Sequence, residues 1–241
     1  MPTPFLTAML YAPLASFGGL AVGERRGSQR YPTRSMLIGL LGAALGVDRA
    51  DEAGQRALRD GYGFALQVFA PGRPFTDYHT AQMPSRGKTR FATRREELAA
   101  PDLNTVLTSR DYRSDFLAGL AVSATPTAPY ALESVAEALR QPRYTLSLGR
   151  KSCPFGLPLA PHIADYDSAR AALAALWAGQ EVGPLRELSR LLHAQPGDIV
   201  LERGHQECGT VHFVRDEPLS RKRWQFGMRE VVVLPGGENA S

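Results

Sequence analysis

The length, composition and charge of the chain limit the classes of protein to which it can belong. With 241 residues, of which 44% are apolar, it is long enough for one large domain, or for one domain with a smaller appendage. No apolar run approaches the roughly 20 residues that cross a bilayer, and no signal-peptide pattern is present, so we expect a cytoplasmic protein rather than a membrane or secreted one. Two distant cysteines argue against a disulfide framework.

The basic residues are strongly biased towards arginine. The formal net charge is only +4, but of the 28 basic residues only three are Lys. The planar guanidinium grips phosphate through two parallel hydrogen bonds and stacks on bases, which an ammonium group does not. A genome that prefers GC-rich codons explains the same bias, so composition alone leaves nucleic-acid binding and codon usage as equal alternatives.

The apolar pattern of residues 1–160 predicts alternating strands and helices. In chain order, the predicted elements are a strand at 5–11, helices at 36–46 and 51–60, a strand at 62–70, an insertion at 71–111, a strand at 115–123, a helix at 132–139 and a strand at 144–148. The helix at 36–46 is apolar almost all round, which indicates burial, and Thr33 or Ser35 is positioned to cap it. This order is the βαββαβ pattern of an α+β, ferredoxin-like (RRM-like) core.

The insertion and the end of the chain complete the predicted organisation. The insertion is expected to form an extended hairpin or a mobile loop. Residues 161–241 are expected to form a smaller β-rich C-terminal subdomain, with a helix at 168–177 and strands near 198–201, 210–214 and 229–234. We therefore predict a core domain at 1–160 followed by this appendage.

A basic loop immediately before the apolar helix is the first candidate binding segment. Four arginines within ten residues are joined there by an aromatic ring and two hydroxyl groups: Arg25, Arg26, Arg30, Arg34, Tyr31, Thr33 and Ser35. Arginine charge and the free N–H groups of a helix N-terminus both attract phosphate, and the Tyr31 ring offers a surface for base stacking. An ordinary solvated loop with a helix cap accounts equally well for these residues.

A second basic segment follows the strand predicted at 144–148. Gly149, Arg150, Lys151 and Ser152 place a glycine, two cations and a hydroxyl group in succession, which suits an anion-binding turn. The segment is not a P-loop, because Gly-x4-Gly-Lys-Ser/Thr is absent. The alternative is a basic surface turn without a function. In a ferredoxin-like fold, this turn and the basic loop are candidate walls of one RNA cradle.

Three other segments combine residue types that occur in catalytic, metal-binding or nucleic-acid-binding sites. Tyr78 and His79 suit acid–base work on a 2′-hydroxyl, but a structural or base-stacking role is favoured because no second His lies nearby in sequence. The His-x-Glu pattern at 205–207 lacks the second half of a zinc-deaminase motif, so we predict no metal site. Residues 221–226 interleave basic and aromatic side chains, as sites for single-stranded nucleic acid do, although a loop anchored in the core by its two rings is slightly favoured.

Five stretches, in order along the chain, form a set that is specific when taken together. They are APLASFG at 12–18, YPTRS at 31–35 with IGLLG at 38–42, DYHT at 77–80, LSLGRKSCP at 146–154, and RDEP at 215–218 with QF at 225–226 and RE at 229–230. Together they resemble the CasD-type family, the fifth Cas family, of type I-E CRISPR systems. The chain departs from the family pattern at Ala15 and Phe17, where the family usually has Gln and Trp, and at Phe116, where the family often has Ala.

The resemblance implies a ferredoxin-like core with a long β-hairpin thumb at about 80–110. It implies a non-catalytic subunit that binds the 5′ handle of CRISPR RNA and caps the backbone filament of a Cascade complex in antiviral defence. The expected contacts then include Tyr112 and the thumb residues Arg86, Lys88 and Arg90. The expected partners are the CRISPR RNA, the backbone subunit CasC and the large subunit CasA, with target DNA near the protospacer-adjacent motif as a further candidate. No cofactor and no metal are expected.

Two other functions stay open on the sequence. The first is a metal-independent endoribonuclease that processes CRISPR repeat RNA with Tyr78 and His79, with Lys88 or Lys151 stabilising charge. In this subtype a different subunit, CasE, processes the precursor RNA, so the resemblance argues against this function. The second is a protein-only scaffold whose arginines pair with acidic neighbours.

Overall fold

The computed structural model describes residues 2–19, 21, 23–85, 90–179, 184–202 and 209–236, which form nine strands and six helices. The strands are β1 (Thr3–Ala15), β2 (Arg25–Arg26), β3 (Tyr62–Ala70), β4 (Arg73–Pro84), β5 (Leu103–Ala124), β6 (His162–Tyr166), β7 (Ile199–Glu202), β8 (Thr210–Ser220) and β9 (Gln225–Leu234). The helices are α1 (Arg34–Leu45), α2 (Glu52–Gly61), α3 (Arg94–Leu98), α4 (Leu132–Arg140), α5 (Ala169–Ala178) and α6 (Pro184–Leu191). In the part of the chain described, no helix is long and apolar enough to cross a membrane.

One large, mainly antiparallel sheet organises this mixed α/β protein. Its strand order is β6-β1-β5-β3-β7-β9-β8, and β2 and β4 pair with β5 outside this path. Strands β1 and β5 pair in a register that sets Leu6 opposite Val122. Because successive side chains of a strand point to opposite faces, Leu6 and Val122 join α1 and α4 in the main core, whereas Phe5 and Ala121 pack with α5 on the other face. Burial on both faces explains why these strands are continuous apolar runs in the sequence.

Helix α1 confirms the predicted buried helix. Of the two candidate caps, Thr33 is the one used, since its hydroxyl oxygen accepts the backbone N–H of Met36 at 3.4 Å. Gly46 ends the helix in the left-handed region, with a φ of 80°. The buried face includes Leu37 and Leu41, which pack against the sheet. Because α1 is packed against the sheet, the end of the basic loop that leads into this helix is held at the sheet as well.

The insertion forms an antiparallel hairpin of β4 with the first half of β5. The pairing runs from Arg73 opposite Ser114 to Pro84 opposite Leu103, so the hairpin begins earlier than the predicted thumb at 80–110. Strand β5 continues from the hairpin into the core, and the predicted strand at 115–123 is its second half. Most side chains of β4 are exposed, so the hairpin extends from the core without a core of its own.

The predicted strand at 144–148 is wrong. This segment is irregular instead, with an isolated bridge between Ser147 and Pro154, and the N–H of Leu148 donates to the carbonyl oxygen of Cys153 at 2.7 Å. Gly149 between them has a φ of 101°, a conformation that strands do not use. The strand beside β1 is β6, which begins about 15 residues later in the chain.

Strands from both sides of the predicted boundary at residue 160 share the sheet, because β6 pairs with β1 and β7 pairs with β3. The division into a core and a C-terminal subdomain stays a prediction. The strands predicted near 198–201, 210–214 and 229–234 are confirmed, and the last two are longer than predicted. Helix α6 was not predicted, because a segment of eight residues is too short to show a clear helical period.

Candidate nucleic-acid interface

The two basic segments predicted from the sequence meet at the base of the hairpin. Strand β2 pairs in parallel with β5, which sets Arg26 beside Arg110. The guanidinium of Arg150 donates to the carbonyl oxygen of Arg26 at 2.9 Å and to that of Asp111 at 3.4 Å. One side chain therefore joins the basic loop and the basic turn, and the expected proximity of the two segments is confirmed.

The basic turn packs on the end of β1. The N–H of Ser16 donates to the carbonyl oxygen of Leu148 at 3.2 Å, and a Cβ atom on Gly149 would overlap the carbonyl oxygen of Ser16. Gly149 is thus required by close packing as well as by its positive φ. Lys151 and Ser152 remain exposed at the tip of the turn, available to a ligand.

Tyr112 lies beneath Arg150 and supports it. Its ring centroid is 4.6 Å from the guanidinium carbon of Arg150 and 5.5 Å from the ring centroid of Phe75, on which it stacks. Burial opposes ionisation of the phenol, but hydrogen bonds with Arg150 and Ser152 outweigh burial and lower the pKa of Tyr112. Only 7% of Tyr112 is exposed, so it positions Arg150 rather than offering a free ring to a base.

A groove of about 790 Å³ lies between these segments and the β8–β9 hairpin, and we call it the basic groove. It is lined by three arginines, two aromatic rings, and small or polar residues: Arg26, Arg150, Arg215, Trp224, Phe226, Gly18, Gly19, Ala21, Ser35 and Asp216. The predicted contacts Arg26, Ser35 and Arg150 are among them. Arg215, Trp224 and Phe226 are absent from the predicted contacts, although Arg215 and Phe226 belong to the stretches that resemble the family.

Trp224 presents an exposed ring at this groove. The residue is 59% exposed and adopts a φ of 52°, in the left-handed region that bulky side chains rarely occupy. The guanidinium carbon of Arg49 lies 3.7 Å from the ring centroid, and the ring of Phe226 lies 6.0 Å away. The favoured interpretation of a loop anchored in the core by both rings is therefore wrong for Trp224.

Arg34 is buried and does not line the basic groove. Its guanidinium forms ion pairs with Glu202 and Glu217, the latter at 2.9 Å, and donates to the carbonyl oxygen of Arg59 at 2.6 Å. Burial opposes the charge, but the two carboxylates outweigh burial and raise the pKa of Arg34. The side chain thus holds the start of α1 against β7 and β8.

A carboxylate of the protein occupies the N-terminus of α1. The N–H of Arg34 donates to Asp216 at 2.7 Å, and Arg229 donates to both oxygens of the same carboxylate at 2.5 and 2.9 Å. The expectation that free N–H groups here attract phosphate is corrected, because an acidic side chain already satisfies the helix dipole. These contacts also explain why the YPTRS, RDEP and RE stretches occur together.

The remaining residues of the basic loop lie near the surface. Arg25 forms an ion pair with Asp111 at 3.1 Å, and Arg30 lies 3.6 Å from Asp198. Both guanidinium groups are largely exposed, so a ligand phosphate has access to them. Tyr31 is half-buried and packs against the main core.

The predicted contacts on the hairpin are separated from the groove. Tyr78 and His79 are neighbours on β4 and therefore point to opposite faces. Tyr78 is 63% exposed, and Arg90 is exposed as well. Arg86 and Lys88 lie outside the described residues.

The segment with the His-x-Glu pattern, at 205–207, also lies outside the described residues. Within the ranges that the structure describes, no group of three or more His, Cys, Asp or Glu is placed to hold a metal ion. Cys153 is fully buried, and burial raises the pKa of its thiol, so it packs rather than reacts. That the protein has no metal site stays a prediction.

Comparison with solved structures identifies the fold. The fold is similar to that of a chain in a CRISPR RNA-guided surveillance complex, with a TM-score of 0.66 and 24% identity over 97% of this chain and 90% of that chain. A second solved structure, of a Cas protein, has a TM-score of 0.57 and 24% identity over 98% of this chain and 100% of that chain. The fold is that of CRISPR-associated proteins.

Comparison of sequences identifies the family. The family described as CRISPR-associated protein (Cas_Cas5) matches residues 5–232. The CRISPR system Cascade subunit CasD of Escherichia coli strain K12 is 30% identical over 247 residues, which cover 98% of each chain. The chain therefore belongs to the Cas5 family of CRISPR-associated proteins, among the CasD-type subunits of type I-E systems. The family predicted from the five stretches is confirmed.

Proposed function

We propose that the chain is the cytoplasmic Cascade subunit that binds the 5′ handle of CRISPR RNA and caps the backbone filament, without catalysing cleavage. The observation that carries this proposal is the basic groove, where Arg26, Arg150 and Arg215 line one cavity with the exposed ring of Trp224. Guanidinium groups bind phosphates and aromatic rings stack on bases, so the combination suits a single RNA strand. Membership of the Cas5 family supports the proposal.

The predicted contacts divide into those that bind RNA and those that position others. Groups that line the groove supply the binding: Arg26, Arg150, Arg215, Trp224 and Phe226. The exposed side chains of Arg25, Arg30, Lys151 and Ser152, from the basic loop and the basic turn, are proposed to add further contacts. Thr33, Arg34, Gly149 and Tyr112 hold the walls of the groove in place. We therefore propose that substitutions of these four residues weaken RNA binding indirectly, because they disturb the packing of the groove walls.

We propose that the β4–β5 hairpin is the thumb of the family and contacts the neighbouring subunits as well as RNA. An exposed pair of strands without its own core gains stability when partners cover it. Tyr78, Arg90 and the basic residues Arg86 and Lys88 are the proposed contacts. The proposed partners are CasC and CasA, with target DNA near the protospacer-adjacent motif as a further partner.

We also propose that part of the sheet is a ferredoxin-like core. In chain order, β1, α1, β3, β5, α4 and β6 follow the βαββαβ pattern. Their strands are neighbours in the order β6-β1-β5-β3, and both helices pack in the main core. This arrangement places the basic loop after the first core strand and the basic turn after the second core helix, which supports a shared RNA cradle.

An endoribonuclease is the alternative function, and the close contact of the His79 imidazole with the Asp77 carboxylate on the hairpin favours it. A carboxylate can orient an imidazole as a base, but RNA cleavage also needs a group that protonates the leaving oxygen. Asp77 is the one ion-pair partner of His79 among the described residues. Incubation of the purified protein with repeat RNA and EDTA tests this function. We expect no discrete cleavage. Cleavage by the parent protein that disappears in His79→Ala would show that the protein is an endoribonuclease and would overturn the proposed non-catalytic role.

Retention of CRISPR RNA by the assembled complex tests the proposed function. The double variant Arg215→Gln/Trp224→Ala is expected to lose at least about tenfold in RNA affinity, since each stacked base contributes roughly 1–3 kcal/mol. Phe213→Ala is the matched control, because its ring is 67% exposed on β8 but does not line the groove. Equal RNA retention by both variants, or a complex without nuclease-sensitive RNA at this subunit, would favour the protein-only scaffold instead.

A further inference from the structure

A second basic cleft lies next to the turn that carries Trp224. It has a volume of about 230 Å³ between α2 and the turn that joins β8 to β9, and we call it the α2 cleft. Four arginines and a single carboxylate line it, with neutral side chains around them: Arg49, Arg56, Arg221, Arg223 and Glu52, with Gln55, Pro218, Leu219, Ser220 and Gln225. The carboxylate of Glu52 accepts the hydroxyl of Ser220 at 2.6 Å. The cleft therefore carries an excess of positive charge.

Arg221 gives this cleft a half-buried cation with one unsatisfied donor, its Nε atom. Its guanidinium donates to the carbonyl oxygen of Ser35 and packs on Gly39 of α1. Across the described ranges it forms no ion pair with a carboxylate, and its Nε atom is buried without a hydrogen-bond partner. Burial, and then the nearby charge of Arg49, lower the pKa of Arg221. Because no carboxylate neutralises this half-buried guanidinium, an anion that enters the cleft is stabilised by its charge.

A contact between Arg49 and Trp224 links the lining of the α2 cleft to the lining of the basic groove. The Trp224 ring lines the groove, while the guanidinium of Arg49, which lines the cleft, stacks on the same ring at 3.7 Å. The φ of 52° at Trp224 lies in the left-handed region, and such a conformation in a bulky residue often occurs at functional sites. Arg49 covers one face of the ring, so a base stacked on the other face would have its neighbouring phosphate within reach of the α2 cleft.

We propose that the α2 cleft binds a backbone phosphate of the RNA strand, next to the nucleotide that stacks on Trp224. This inference rests on the proposed function and extends the RNA path beyond the basic groove. Arg49, Arg56 and Arg223 supply exposed guanidinium groups, and Arg221 supplies the charge at the inner wall. An acidic peptide of a partner subunit has compatible charge, but peptide binding does not explain the exposed aromatic ring between the two sites, whereas base stacking does.

The double variant Arg56→Gln/Arg223→Gln tests the cleft in the full chain, assembled with the other Cascade subunits. Both side chains are exposed, so the fold is expected to persist. Affinity for handle RNA is measured between about 0.05 and 0.2 M salt, and one lost phosphate contact lowers the slope of log affinity against log salt by about 0.7. That loss corresponds to about fivefold weaker binding at 0.1 M salt. Lys222→Gln is the control, since it removes a positive charge from the same turn without lining the cleft.

Neutral methylphosphonate linkages, introduced one by one along the RNA, identify the phosphate. One linkage is expected to weaken binding of the unchanged protein about fivefold and to have no further effect in Arg56→Gln/Arg223→Gln. An unaltered salt slope would overturn the inference, and so would a loss of subunit assembly or of target DNA binding with RNA affinity intact. The groove variant Arg215→Gln/Trp224→Ala separates the two proposals: if it loses RNA while the cleft variant does not, only the cleft inference fails.

Discussion

The guanidinium of Arg150 donates to the backbone carbonyl oxygen of Arg26 at 2.9 Å, across 124 positions of sequence. The same group stacks over Tyr112, with 4.6 Å between guanidinium carbon and ring centroid. Arg150 therefore braces the basic turn against β2 and β5 at once. Only a planar, multidentate cation donates and stacks in this way.

Replacement of Arg150 by Lys is expected to destabilise the protein by about 1–3 kcal/mol, because the ammonium group loses the stacking contact and at least one hydrogen bond. Urea unfolding measures this change. Lys151→Ala is the control, since its side chain is exposed, and its effect on stability is expected to stay within about 0.5 kcal/mol. An Arg150→Lys protein as stable as the parent would show that the contacts of the Arg150 guanidinium do not stabilise the fold.

Replacement of Gly149 by Ala is expected to cost about 3 kcal/mol or more, because the added Cβ meets the carbonyl oxygen of Ser16 and the φ of 101° is strained for Ala. Thermal unfolding measures the loss. Gly179→Ala provides the comparison, since its φ is −69° and nothing lies within 4 Å of a Cβ there. That variant is expected to be neutral or slightly stabilising, and equal losses in both would contradict the packing argument.

Two departures from the family pattern contact each other, because the rings of Phe17 and Phe116 meet edge to face with centroids 4.7 Å apart. Phe116→Ala alone is expected to cost about 3–5 kcal/mol by leaving a cavity. Phe17→Trp alone is expected to cost about 1–3 kcal/mol by overpacking. The double variant approaches the family pattern and should cost less than the sum, by roughly 0.5–3 kcal/mol. Additive losses in denaturant unfolding would show that the two positions do not compensate.

Removal of the Arg34 side chain is expected to destabilise the protein by about 3 kcal/mol, because Arg34→Ala removes the short ion pairs of Glu202 and Glu217. These carboxylates keep only longer contacts, of 3.8 Å each, with Arg229 and Arg59. The exposed ion pair of Arg94 with Glu97, at 2.7 Å, gives the control. Arg94→Ala is expected to change the free energy of unfolding by less than about 1 kcal/mol. Similar losses of unfolding free energy in the two variants would show that the burial of the Arg34 ion pairs does not increase their contribution to stability.

Glu217 gives the stability of this network a dependence on pH. Burial raises its pKa above the ordinary value of 4.5, so the folded protein holds this proton more tightly than the unfolded chain. Its contribution to the free energy of unfolding is fully present below pH 4.5 and is lost as the pH rises through the raised pKa. The stability of the parent relative to Glu217→Gln should therefore fall as pH rises through this window. A difference that does not change with pH, in urea titrations, would contradict the raised pKa.

Local chemistry explains which parts of the fold were predictable. Apolar periodicity and caps predict α1, β3 and α4 correctly, because short-range sterics and burial determine them. The strand predicted at 144–148 is wrong because an alternating apolar pattern before Gly149 also suits an irregular segment that packs on the end of β1, and sequence patterns do not show that neighbour. The hairpin is predictable as an insertion, but its length follows from pairing between distant strands.

The candidate site shows the same division. The sequence by itself determined the family, the basic loop and the basic turn, since these depend on residue types in order along the chain. Only the tertiary structure decided that Arg34 and Tyr112 are buried supports, and that Arg215 and Trp224 complete the groove. The physical reason is that the charge and stacking capacity of a side chain are local properties. Its burial and its partners depend on strands that the sheet brings together from distant parts of the chain.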